Sequence, residues 1–177
     1  MKVIADTGFL VAFVSRRDLH HDWAVRLENR LSLPLLTCEA VLAEATFHLQ
    51  DARIIFGLLE DQFIRLSFDA NDHLPHLSAL AERYADRKPD LADLCLIRMS
   101  ELNPTHTVLT TDREDFRVYR RNKRETIPIL LMLDLLVDRD EHVETGFGGN
   151  RHQSAIPKLL PLHLSCRMNL MSRQVFA

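Results

Sequence analysis

The chain has 177 residues, 46% of them apolar and 27% charged, and 22 basic against 25 acidic side chains leave a net charge of -3. This is the size of one globular domain with enough apolar surface for a core, and the charge balance excludes both a strongly basic nucleic-acid coat protein and an acidic solvating tail. Any nucleic-acid contact must then come from a local patch.

In chain order, Lys2 to Ala5 reads as a first strand ending in Asp6-Thr7-Gly8, and the apolar segment after it predicts a helix to Ser15. Trp23, Ala24 and Leu27 share one face of a second helix, expected to reach Leu31 before Pro34, and mark that face as core. Leu35 to Thr37 is a second strand. Thr37 is expected to cap a third helix over 38 to 50, where Val41, Leu42, Ala45 and Leu49 recur at helical spacing. A helix over Asp51 to Glu60, a strand over Phe63 to Leu66 and a helix over Asp72 to Ala85 follow. Pro89 is expected at the first position of a helix that is apolar nearly all round from Leu91 to Met99 and therefore buried. A strand over Thr107 to Thr111, a turn or short helix over Arg113 to Phe116 and a last strand over Ile127 to Met132 complete the pattern. Alternating strands and helices predict an α/β class, a three-layer α/β/α fold around a mostly parallel sheet. Residues 132 to 177 show no sustained period and are expected to form an irregular, atypical tail, so the domain is placed at 1–131.

Only Gly8 and Gly57 occur before residue 132, which excludes a P-loop and a dinucleotide-binding glycine fingerprint there. Cys38, Cys95 and Cys166 form no C-x-x-C pair and suggest neither a disulfide framework nor a zinc ribbon. Asp6 interrupts the N-terminal apolar stretch, so no secretory signal is expected, and the run Phe9 to Val14 falls far short of the roughly 18 residues that span a bilayer. The expectation is a reduced, cytoplasmic protein.

In an open parallel sheet, ligands bind beyond the carboxyl ends of the strands, and Asp6 and Asp112 are the first acidic residues after two of them. On neighbouring strands, two ionised carboxylates would repel, and one would hold a proton unless a cation lay between them. Either aspartate alone would equally serve as a helix N-cap. Glu44 has Ala40, Val41, Phe47 and His48 as helical neighbours, a largely apolar face on which a carboxylate is costly unless paired or metal-bound. Glu39, in the first turn of that helix, reads as a surface residue favoured by the helix dipole. Asp93 opens the buried helix, and Asp90 is either a further ligand or simply that helix's N-terminal charge. An all-carboxylate set with no convincing His or Cys partner describes a hard-cation site for Mg²⁺ or Mn²⁺, serving phosphoryl transfer or phosphodiester hydrolysis. The stretch FRVYRRNKR after Asp112 holds five basic residues with Phe116 and Tyr119 interleaved, either an RNA-backbone contact or a solvated basic face. His20 and His21 lack partners at zinc spacing and read as surface and packing residues.

The segments ADTGFLVAFVSRRDLHHDWA, TCEAVLAEATFHL, DLADLCLIRMSE and VLTTDREDFRVYRR, in this order and spacing, resemble the PIN-domain family, most closely the VapC-type toxins of bacterial toxin-antitoxin pairs. The likeness covers residues 1–131. It implies an acidic quartet at Asp6, Glu44, Asp93 and Asp112, with Asp90 and Asp115 at positions acidic in only some members. Thr7 and Thr111 flank the strand-end aspartates and would hold metal-bound water or the scissile phosphate. Arg113, Arg117, Arg120 and Arg121 would meet RNA or an antitoxin. The function implied is a Mg²⁺- or Mn²⁺-dependent endoribonuclease, a homodimer inhibited by a small antitoxin. The competing readings are a PIN-fold RNA-processing nuclease without an antitoxin, a non-catalytic binding module, and a phosphatase of the haloacid dehalogenase type. The last would need a second Asp at the position Gly8 occupies.

Overall fold

The structure is a computed structural model that describes residues 1–131; the expected irregular tail lies outside them. Five short strands form one parallel sheet: β1 (Val3–Ala5), β2 (Leu35–Thr37), β3 (Ile64–Leu66), β4 (Thr107–Leu109) and β7 (Ile129–Leu130), in the order β3-β2-β1-β4-β7. Seven helices flank it among the described residues: α1 (Thr7–Val14), α2 (His21–Glu28), α3 (Glu39–Leu49), α4 (Ala52–Glu60), α5 (Leu74–Arg83), α6 (Leu91–Leu102) and α7 (Arg113–Val118). The result is the expected three-layer α/β/α fold. A separate antiparallel hairpin joins β5 (Arg120–Arg121) to β6 (Glu125–Thr126).

β1 and β2 are buried at every position, as central strands covered on both faces must be, and β3, at the sheet edge, buries only Ile64. Ile4 pairs with Leu36 on one side and Val108 on the other, and Ala5 with Leu109. The sequence alternation thus places the ends of β1 and β4 side by side. Beneath them, α1 packs on α2 and α3, and α6 packs against β1 and β4. Phe13 stacks on Phe63 at 4.4 Å between ring centroids, and Phe9 meets the buried Trp23 edge-on at 6.0 Å.

Several boundaries differ from the periodicity. Thr37 does not cap α3: it is the last residue of β2, its hydroxyl donates to the Ala5 carbonyl at 3.2 Å, and Cys38 takes the N-cap position. Pro89 stands before α6 rather than inside it, because Asp90 caps that helix. α2 ends at Glu28, three residues short of Leu31. The helix expected from Asp72 begins as a 3₁₀ turn over Asn71–His73, then continues as α5. The strand expected over 107 to 111 stops at Leu109, since Thr110 turns its polar groups to Asp6 and Asp112. The last strand is shortened by Pro128, which lacks an N–H and contributes only its carbonyl, to Val108 N–H at 2.8 Å. The basic stretch contains a turn that was not anticipated: Asn122 and Lys123 both adopt positive φ, and Arg124 N–H donates to Arg121 O at 3.2 Å. This is the mirror-image hairpin turn, here without the usual glycine.

Replacing Phe63 by Ala removes a fully buried ring from the stack and is expected to cost about 3–5 kcal/mol in urea unfolding of the whole chain. A loss below about 1 kcal/mol would place that ring outside the core.

Candidate active site

Asp6 sits where β1 turns into α1. Its N–H extends the sheet ladder to Leu109 O at 3.1 Å, while Oδ1 accepts from Thr7 N–H at 2.6 Å as the α1 N-cap. Its other oxygen, Oδ2, accepts from the Thr110 hydroxyl at 2.6 Å. The same hydroxyl oxygen accepts from Asp112 N–H at 2.9 Å, so a single buried threonine ties both strand-end aspartates together. Asp112 in turn caps α7 through Asp115 N–H at 3.1 Å, and Asp90 caps α6 through Asp93 N–H at 2.8 Å. The N-cap reading of Asp6 and Asp112 is therefore correct, Asp90 proves to be a cap as well, and all three also line one cleft.

From the far side, Glu44 on α3 accepts the Thr7 hydroxyl at 2.7 Å, and His48, one turn on, lies 4.0 Å from its other oxygen. The apolar face expected around Glu44 is present on one side only: Val41 is buried, but Phe47 is 71% exposed and His48 is also exposed, so Glu44 is half-buried at a cleft wall rather than embedded in core. Asp93 completes the wall from α6, its Oδ2 accepting from Tyr119 Oη at 3.2 Å.

The cleft has a volume of about 340 Å³, and seven carboxylates line it: Asp6, Asp18, Glu44, Asp90, Asp93, Asp112 and Asp115. Thr7, Thr111 and His48 are also there, whereas no lysine or arginine is among the lining residues. Glu39 is exposed in the first turn of α3 and is not among the lining residues. Burial is the largest influence on Asp6, pushing its carboxyl up to about 6, with the charges of Glu44 and Asp112 adding to it against two hydrogen bonds. Asp93 is pushed up to about 7, again first by burial and then by Asp90, Asp115 and Asp6, against the Tyr119 hydrogen bond. Repulsion between strand ends is thus real but secondary to desolvation.

Among the described residues, no three acidic, histidine or cysteine side chains are already drawn into a finished metal cage. The donor chemistry nevertheless fits a hard divalent cation: apart from the His48 imidazole the lining donors are carboxylate and hydroxyl oxygens, and the two most perturbed carboxylates would be relieved by a nearby positive charge.

The basic stretch departs most from expectation. Phe116 and Tyr119 are 2% and 1% exposed, so neither ring can stack on a base. Arg120 directs one guanidinium nitrogen to the carbonyls of Arg117, Val118 and Tyr119 at 2.7 to 3.1 Å, closing the end of α7. Arg121, whose side chain is 14% exposed, bonds Glu125 and the Pro104 carbonyl. Of the four arginines expected to meet RNA, only Arg113 and Arg117 are exposed. His21 holds the Ala12 carbonyl through Nδ1 at 2.8 Å.

Sequence reading missed Thr110, Gly8, Asp18, His48 and the Tyr119 contact. Thr110 was detectable in principle as the hydroxyl residue two before Asp112, the spacing at which a side chain reaches back to a cap N–H. Gly8 lies in close approach to Thr111: a Cβ there would sit 2.0 Å from Oγ1 and 3.2 Å from Cβ of that side chain, which would have to shift.

A family model described as the PIN domain matches residues 3–122. No curated protein matches the chain.

Because Asp6 and Asp93 have folded-state pKa values above the unfolded value of 3.8, the folded metal-free chain binds more protons than the unfolded one between about pH 4 and about pH 7. Stability in EDTA is therefore expected to fall as pH rises through that window. Asp93→Asn should flatten the fall and raise Tm at neutral pH. A Tm that climbs with pH across the window in the wild type would contradict the burial assigned to these groups.

Proposed function

The chain belongs to the PIN-domain family, and from that premise we propose that it is a Mg²⁺- or Mn²⁺-dependent endoribonuclease, the toxin of a type II toxin-antitoxin pair, with Asp6, Glu44, Asp93 and Asp112 as its catalytic carboxylates. PIN domains are generally nucleases acting on nucleic acid. The observation that supports the assignment is convergence: four carboxylates from β1, α3, α6 and the β4–α7 turn line one cleft at the carboxyl end of a parallel sheet. The nuclease domain is assigned to residues 1–131, and 132–177 to an added segment.

The four carboxylates, with Asp90 beside them, would hold the ion, which supplies charge neutralisation at the phosphate and a water of lowered pKa. The chain's own groups prepare the place. Thr110 and the α1 N-terminus orient both oxygens of Asp6, and Thr7 fixes one oxygen of Glu44. Thr111, held against Gly8, and Asp115 stand at the rim of the same cleft. Water is the nucleophile, the P–O3′ bond breaks with the 3′-oxygen leaving and taking up a proton, and no covalent intermediate forms, so the products carry 5′-phosphate and 3′-hydroxyl ends. The substrate is single-stranded or loop RNA, whose backbone meets Arg113 and Arg117 on the exposed side of α7.

No helix among the described residues is long and apolar enough to cross a membrane, in keeping with a cytoplasmic enzyme. Phe47 on α3 and Phe56 on α4, 71% and 59% exposed on packed helices, support a homodimer. A small antitoxin would offer the cleft an arginine or lysine that it lacks.

RNA cleavage is expected to stop in excess EDTA and in Asp6→Asn, Asp93→Asn and Glu44→Gln, while Glu39→Gln retains activity. Cleavage that survives EDTA, leaves 2′,3′-cyclic phosphate, or depends on Glu39 rather than Glu44 would overturn the assignment. Light scattering should give a dimer that Phe47→Ser with Phe56→Ser converts to monomer; a wild-type monomer would remove the assembly from the proposal.

A further inference from the structure

Tyr119 stands between the basic hairpin and the cleft. Tyr84 and Phe116 both meet its ring edge-on, at 5.0 Å and 5.8 Å between centroids, and it is 1% exposed. Its backbone is equally constrained. Its N–H donates to Asp115 O at 3.3 Å and its carbonyl accepts from the Arg120 guanidinium at 2.8 Å. Arg120 N–H then donates to Tyr84 Oη at 2.9 Å, closing a frame of two tyrosines and one arginine. One polar atom of the Tyr119 side chain reaches out of that frame, Oη, and it donates to Asp93 Oδ2 at 3.2 Å.

We propose that Tyr119 is a positioning residue for Asp93. The phenol fixes Oδ2, sets the rotation of the carboxylate at the first turn of α6, and leaves Oδ1 as the oxygen offered to a cation. A carboxylate on a helix surface turns freely about its terminal bond, so without this donor both oxygens would sample the cleft and each metal-binding event would have to order them. The frame explains why a rigid tyrosine does this better than water: its ring cannot follow the carboxylate if the carboxylate moves. It also gives Arg120 a purpose inside the protein, as the clamp that holds Tyr119 and Tyr84 in register, in place of the RNA contact its position in a basic run suggests.

The inference rests on the metal-dependent reading of the cleft, and the test separates the two. Mn²⁺ affinity of the full chain is measured by electron paramagnetic resonance for wild type, Tyr119→Phe and Tyr84→Phe, with circular dichroism and Tm for each. Tyr119→Phe keeps both ring contacts and deletes one hydroxyl. It should bind Mn²⁺ about 10-fold or more weakly while keeping its fold. Tyr84→Phe deletes the other hydroxyl of the pair, which does not touch Asp93, and should lose some stability with unchanged Mn²⁺ affinity. Equal affinity in wild type and Tyr119→Phe, an equal drop in both variants, or loss of the fold in Tyr119→Phe overturns the positioning role. A wild type with no Mn²⁺ affinity overturns the reading of the cleft itself.

Discussion

Every other feature of the site depends on how negative charge is held at the junction of β1 and β4. Two aspartates end adjacent parallel strands, a placement that desolvation and mutual repulsion both oppose, and the pair stays put because Thr110 serves both at once. Its hydroxyl donates to one carboxylate and accepts from the backbone of the other residue, so a single oxygen satisfies an acceptor on one aspartate and a donor on the other. The helix N-termini add further donors: Asp6, Asp90 and Asp112 each accept a first-turn N–H. Capping and the proposed ligation thus fall on the same aspartates. The dipole that makes an aspartate a good cap also makes its carboxylate tolerable next to others of like charge.

The compensation is incomplete, and its incompleteness is informative. With Asp6 pushed up to about 6 and Asp93 to about 7, the fold retains unrelieved cost at the two carboxylates lying deepest. A structure selected only for stability would place an asparagine or a serine there. Such local cost beside an otherwise well-packed core, with Phe9, Phe13, Phe63 and Trp23 in contact, is what the proposed cation site would relieve.

Much of this was legible in the sequence, and particular residues show why. The burial of both faces of β1 and β2 makes them continuous apolar runs, so their limits could be read almost to the residue. Asp6, Asp112 and Asp93 could be placed at the cleft because strand ends and helix starts fix them, whatever the side-chain packing. The apolar neighbours of Glu44 are a partly misleading signal: Val41 is buried, but Phe47 and His48 are exposed, so Glu44 lies at the border of the core face of α3. The basic stretch was read least well. Composition records that Arg120 and Arg121 are charged, but whether a guanidinium faces water or closes the end of α7 depends on a hairpin turn made by Asn122 and Lys123, which lack the usual glycine signal. The sequence does not separate Thr110 from Thr111, since the choice between adjacent hydroxyls depends on which way the chain turns after Leu109.

The strand order carries a consequence in time. β1 precedes β4 in the chain, yet β4 is one of its two neighbours in the sheet, and Asp6 waits for a partner 104 residues further along. Non-local parallel pairing is slow, and a chain emerging from the ribosome cannot begin it here until β4 has followed. A nascent chain short of Thr107 therefore carries Asp6, Glu44 and Asp93 without the strand that aligns the first of them. The cleft proposed as the nuclease site is assembled only when β4 joins the sheet, so its alignment is a late event in the folding of this domain.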